Sequence, residues 1–199
     1  MALHIALTGG IASGKTAVTN LFSSFGIVII DADLVAREVV KPDSIGLQKI
    51  VDIFGKTILQ HDGTLNRSAL RSIVFNDESA RLTLNEILHP MIRQEMKRQR
   101  KQTHSIYTIS AIPLLYESGQ YKEYDRVLVI DCLEKTQIKR LVQRDNIDLA
   151  QAKAILASQA SREQRLSIAD DIITNNSDLH SLEQQVIKLH KLYEQLSKQ

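Results

Sequence analysis

Apolar residues gather in short runs of strand length, separated by longer stretches in which they recur every three or four positions. The runs are HIAL at 4–7, IVIID at 27–31, YTISAIPLL at 107–115, RVLVID at 126–131 and DIIT at 171–174. Each is rich in β-branched residues and reads as a strand, and the stretches between them carry helical spacing. Strands that alternate with helices predict an α/β fold: a mostly parallel sheet with helices on both faces.

Two stretches interrupt this alternation. From about Leu34 to Thr103 no convincing strand occurs, and RSALRSIVF and SARLTLNEILHPMIRQEMKRQRKQ both read as helices, which predicts an inserted helical subdomain. A second helical excursion, rich in arginine, runs from Glu134 to Ser167. The last segment places Leu179, Leu182, Val186, Leu189 and Leu192 at three- or four-residue spacings, the pattern of a closing amphipathic helix. His89 before Pro90 reads as a helix-start or packing residue. The whole is one elaborated domain, with a core of about 1–33, 104–133 and 168–199, an insertion of about 34–103 and a helical excursion of about 134–167.

Composition narrows the function classes. With 199 residues and 43% apolar content the chain is long enough for one substantial core. Its 25 basic and 23 acidic residues leave a formal net charge of +2, so bulk electrostatics give no reason to expect nucleic acid or membrane as a partner, and any anion site is local. The apolar run ending at Leu7 is broken by Gly9 and Gly10, which fits neither a secretory leader nor a membrane span; a cytoplasmic protein is expected. Cys132, the only cysteine, can form no intrachain disulfide or cysteine metal cluster, and reads as a packing residue.

The segment GGIASGKT, comprising Gly9, Gly10, Ile11, Ala12, Ser13, Gly14, Lys15 and Thr16, satisfies the pattern G-x-x-x-x-G-K-[ST] between a predicted strand and a predicted helix. Glycine lets an oxyanion approach the peptide plane, and the first amides of the helix, with that of Ala17 following, are donors the helix itself leaves unused. Lys15 can reach the β- and γ-phosphates of a nucleoside triphosphate, and the Thr16 hydroxyl can ligate a magnesium ion that bridges them.

The second run is followed by DADLVAREV, with Asp31, Asp33 and Arg37. Ligands of open parallel sheets bind at the carboxyl ends of strands, so a carboxylate here can accept a hydroxyl proton or help to hold magnesium; it can equally cap a helix. Arg140 and Arg144, four residues apart on one helical face, suit a clamp on transferring phosphates, or a solvated face paired with acids such as Asp145. Most of the charges in HPMIRQEMKRQRKQ read as a solvated helix surface, part of which can bind an anionic acceptor.

Taken in order, LTGGIASGKT, IDADLVAREV, ALRSIVF, LNEILHPMIRQEM, PLLYE, QIKRLVQRD and ADDIITNN resemble the dephospho-CoA kinases over essentially the whole chain. The resemblance implies a P-loop NTPase-type sheet, a helical insertion that binds the acceptor and a helical, mobile lid over 134–167. It implies transfer of the γ-phosphoryl group of ATP, with magnesium, to the ribose 3′-hydroxyl of dephospho-CoA. Gly9 to Thr16, with the amide of Ala17, then hold the ATP phosphates, Asp33 is the candidate base, Arg140 and Arg144 belong to the lid, and Asn175 lies beside the adenine. Ala12 and Ser177 depart from the family's usual glycines. A kinase for another nucleoside or small alcohol, and a nucleotide-binding switch without turnover, are the alternative readings.

Overall fold

The computed structural model describes residues 3–198. Five strands, β1 (Leu3–Gly9), β2 (Val28–Asp31), β3 (Tyr107–Ala111), β4 (Arg126–Asp131) and β5 (Asp171–Thr174), form one sheet in the order β2-β3-β1-β4-β5. Every pairing is parallel. The expected α/β architecture is therefore present, with β1 at the centre. The chain leaves β1 for one half of the sheet and returns from β3 to build the other half. That reversal opens a crevice beyond the carboxyl end of β1, where the GGIASGKT turn begins.

The third run is shorter as a strand than as a pattern: YTISA is β3, whereas Leu115 already opens helix α6 (Leu115–Ser118), because Pro113 has no amide to continue a ladder. Helices α1 (Lys15–Ser24) and α10 (Leu179–Leu196) pack together over the sheet. Alternate strand residues Ile5, Leu7, Ile109, Leu128 and Ile130 meet Val18 and Phe22 from α1 and Leu182, Val186 and Tyr193 from α10. A fully buried side chain of this size contributes about 1.5–3 kcal/mol. Of the expected apolar stripe, Leu182, Val186, Leu189 and Leu192 face the core, whereas Leu179 is 65% exposed, and Tyr193 joins the stripe. Tyr193 is drawn in because its hydroxyl donates to Asp171 Oδ2 at 2.9 Å while its ring stacks on Phe22. Asp171 also accepts two bonds from Arg126, at 2.8 and 3.1 Å, and burial pushes the Tyr193 hydroxyl far above its ordinary pKa.

The chain divides into two compact units, residues 32–102 and the remainder. The first contains α2 (Ala32–Glu38), α3 (Ile45–Phe54), α4 (Arg67–Asn76) and α5 (Glu78–Gln102) around Val40, Leu47, Ile50, Ile58, Leu65 and Leu70. Ser44 caps α3, accepting from the amide of Leu47 at 3.2 Å, and Asn66 caps α4, accepting from Ala69 at 3.0 Å. Asp77 separates α4 from α5, its carboxylate taking the amides of Ser79 and Ala80 at 2.8 and 3.1 Å. Pro90 does not start a helix as His89–Pro90 suggested; it lies inside α5, where it deprives the Glu86 carbonyl of its partner, and His89 is exposed.

In the larger unit the segment 134–167 forms α7 (Glu134–Asp145), α8 (Leu149–Ala157) and α9 (Arg162–Leu166). Among the described residues no helix is long and apolar enough to cross a membrane.

Candidate active site

The turn from β1 into α1 is shaped by close approach. Gly14 precedes α1 with φ of 96° and carries no side chain to cap it, and a Cβ there would collide with the amide of Asn175. At Gly10 a Cβ would meet Gln137 and lie 2.8 Å from Arg165 Nη2. Ala12 takes a φ of 56°, so a left-handed position is filled by a residue with a Cβ, at a cost of about 1–2 kcal/mol. Ser177, the other departure from glycine, has no positive φ.

Lys15 folds back along the loop, its ammonium donating to the carbonyls of Gly9 at 2.8 Å and Gly10 at 3.1 Å. Thr16 is exposed, whereas Ala17 packs against the core. Ile11 and Ser13 complete the turn, with the Ser13 amide donating to the Gly10 carbonyl at 3.2 Å. The Ser13 hydroxyl is buried and finds no hydrogen-bond partner among the described residues. An uncapped helix start, a crowded glycine turn, a flexible cation and a buried hydroxyl without a partner together fit a bound polyphosphate.

Asn175 and Arg140 come to this turn. Asn175, just past β5 and 7% exposed, donates from Nδ2 to the Ser13 carbonyl at 2.8 Å, while its own backbone amide bonds Asp131 at the end of β4. Arg140, on α7, places Nη1 3.6 Å from Cys132 Sγ and 4.0 Å from the position of a Cβ on Gly14. Cys132 is buried, as its packing role predicted, and burial pushes its thiol pKa up. Arg144 does not join Arg140: its guanidinium makes two bonds to Asp145, at 2.7 and 2.8 Å, and is largely exposed. Asp31 ends β2, and Asp33 lies exposed in the first turn of α2.

Four side chains not singled out in the sequence also reach the site. Gln137 and Gln159 bond the two polar groups of Ile11. Arg162 forms a bidentate pair with Asp131. Arg165 lies against Gly10, and burial lowers its pKa against the pull of Glu117, Asp131 and Glu163. The visible signal was the arginine richness of 134–167; the contacts themselves link residues far apart in sequence.

A parallel sheet of this strand order, with a glycine turn at the carboxyl end of its central strand and arginines facing that turn from a helical excursion, is the framework of phosphate-loop kinases. At the level of fold alone, the solved shikimate kinase from Bacteroides thetaiotaomicron superposes with a TM-score of 0.52 over 96% of this chain and 98% of its own, at 15% identity. The chain belongs to the dephospho-CoA kinase family, whose sequence model matches residues 3–181. The dephospho-CoA kinase of Vibrio cholerae is 50% identical over 200 residues, covering 100% of this chain and 99% of that one. The solved dephospho-CoA kinase from Campylobacter jejuni is 31% identical, with a TM-score of 0.74 over 98% of each chain.

Proposed function

We propose that the chain transfers the γ-phosphoryl group of ATP to the ribose 3′-hydroxyl of dephospho-CoA, giving coenzyme A and ADP. The observation that carries this reading is the match to the family along the whole length of the chain, joined to a turn built for a polyphosphate.

The loop from Gly9 to Thr16, with the amide of Ala17, cradles the ATP phosphates. Lys15 exchanges the carbonyls of Gly9 and Gly10 for phosphate oxygens, a short swing from where its ammonium already lies. Arg140 and Arg144 stabilise the equatorial oxygens of the group in flight. Arg140 already faces the loop, whereas Arg144 has to give up Asp145. Asn175 borders the adenine and braces the loop through the Ser13 carbonyl.

Thr16 is the residue that would hold a magnesium ion, which when bound neutralises charge on the phosphates. Asp33 accepts the proton of the acceptor hydroxyl; its carboxylate follows the carboxyl end of β2 by two residues and is exposed. The helical unit 32–102 is assigned to the acceptor and the segment 134–167 to the lid.

Steady-state ADP release tests the reading. Dephospho-CoA should stimulate it strongly, and AMP, adenosine and shikimate should be poor acceptors. Equal turnover with one of these would transfer the assignment to another kinase, and ATP binding without turnover on any acceptor would make the chain a nucleotide switch.

A further inference from the structure

Both backbone polar groups of Ile11 are held by residues more than a hundred positions away. Gln137, on α7 and only 3% exposed, donates from Nε2 to the Ile11 carbonyl at 2.6 Å. The Ile11 amide in turn donates to Oε1 of Gln159, between α8 and α9, at 2.9 Å. Gln159 is set in place by its neighbour: the amide of Ala160 donates to Glu117 Oε1 at 2.7 Å and its carbonyl accepts from Arg165, the arginine that lies against Gly10.

These bonds have two consequences for the loop. They commit both polar groups of Ile11 to glutamine side chains, so that the donors left for an anion begin beyond it. The Gln137 bond also fixes the peptide that leads into Ala12, and the Gln159 bond the peptide before it, so that Ile11 is held on both sides next to the residue kept at a φ of 56° against the preference of any residue with a Cβ. A loop left to itself would relax at Ala12, and the two hydrogen bonds to Ile11 oppose that relaxation.

We propose that Gln137 and Gln159 are positioning residues that latch the phosphate loop, holding Ala12 in its left-handed conformation so that ATP affinity depends on the helical segment 134–167. The proposal rests on the assignment of ATP to this loop. The glutamines touch neither nucleotide nor acceptor; they act through the two peptides that flank Ile11. A pair of glutamines serving only to fill space would not distinguish alanine from glycine at position 12, whereas a latch against strain does, because glycine adopts positive φ readily.

The test is equilibrium titration of ATP in magnesium buffer, with thermal unfolding on the same preparations. The proteins are the parent, Gln137→Met and Gln159→Met, each with Ala12 and with Ala12→Gly. Each methionine variant should weaken ATP about tenfold when residue 12 is alanine, the effect of one net hydrogen bond, and less than about threefold when it is glycine. The unfolding midpoint should fall less with alanine at position 12 than with glycine, because relaxation at Ala12 gives back strain that glycine never held. Equal losses of affinity in the two backgrounds would reduce the glutamines to packing, and no loss in either would remove the latch. If Gln137→Met does not fold, Gln159→Met carries the same comparison from a less buried position. A parent that binds ATP but leaves dephospho-CoA unphosphorylated would overturn the proposed reaction and leave the latch standing; a parent that binds no ATP would overturn both.

Discussion

Arg162 donates two hydrogen bonds to the carboxylate of Asp131, Nε to Oδ1 and Nη2 to Oδ2, both at 2.7 Å. The pair ties α9 to the carboxyl end of β4, with Asp131 only 8% exposed and Arg162 46% exposed at the side chain. Removing the arginine leaves a nearly buried carboxylate without its cation. Arg162→Leu should therefore cost about 2 kcal/mol in urea denaturation, less than for a fully buried pair because half of the arginine stays in water. Arg162→Leu combined with Asp131→Leu should recover most of that loss, since neither charge is then stranded. An unchanged midpoint in the single variant would show that the pair contributes nothing to stability.

A second prediction concerns pH. Glu95 accepts from Arg98 at 2.6 and 2.7 Å and from Gln99 at 2.9 Å, and the Arg98 bonds above all bring its pKa from the ordinary 4.5 down to about 2. A depressed carboxylate contributes stability that is fully present above its unfolded pKa and is lost as pH falls toward the folded one. The parent should thus unfold at a higher temperature than Glu95→Gln at pH 7, with the gap closing between about pH 5 and pH 2. A gap that persists unchanged at pH 2 would assign the effect to something other than charge.

Much of the fold is legible in the sequence because its signals are local. Buried strands leave unbroken apolar runs, and the turn from β1 into α1 lies within eight consecutive residues, so both can be read from the order of residues alone. What escapes depends on tertiary neighbours. Tyr193 joins the core because Asp171 is there to receive its hydroxyl, while Leu179, equally apolar, sits at the helix start and stays in water. Pro90 carries the usual mark of a helix boundary, yet it is embedded in α5. Arg140 and Arg144 share a spacing that permits a clamp, but Asp145 holds one of them, a competition that spacing alone does not resolve. Gln137, Gln159 and Arg162 have no motif at all: each matters for a partner that lies 126, 148 and 31 residues away.

Lys15→Ala should fold normally and lower turnover roughly a thousandfold if, as proposed, its ammonium leaves the Gly9 and Gly10 carbonyls to stabilise the charge developing on the transferred group. Single-turnover phosphoryl transfer on a variant with an unchanged unfolding midpoint checks this. Near-normal transfer would show that the loop serves another purpose.

Arg140 and Arg144, the proposed lid arginines, should behave unequally. Arg140→Ala is expected to reduce turnover about a hundredfold or more, and Arg144→Ala less, with neither shifting the unfolding midpoint by more than a degree or two, since the exposed Arg144–Asp145 pair is worth little. If they act on the same phosphoryl group, the loss in the double variant will be smaller than the product of the two single losses. Small losses that simply multiply would return both residues to a solvated helix face.

The most direct test of the proposed chemistry is a single-turnover experiment with γ-labelled ATP and dephospho-CoA, run on the parent and on Asp33→Asn, with the position of the label read by phosphorus NMR. Asparagine keeps the size and the capping ability of Asp33 but takes away its capacity to accept a proton. The account predicts that the parent places the label on the ribose 3′-oxygen, and that Asp33→Asn binds ATP normally but transfers about a hundredfold more slowly or worse. Label appearing in inorganic phosphate or on another hydroxyl, or transfer at the parental rate by Asp33→Asn, would contradict it.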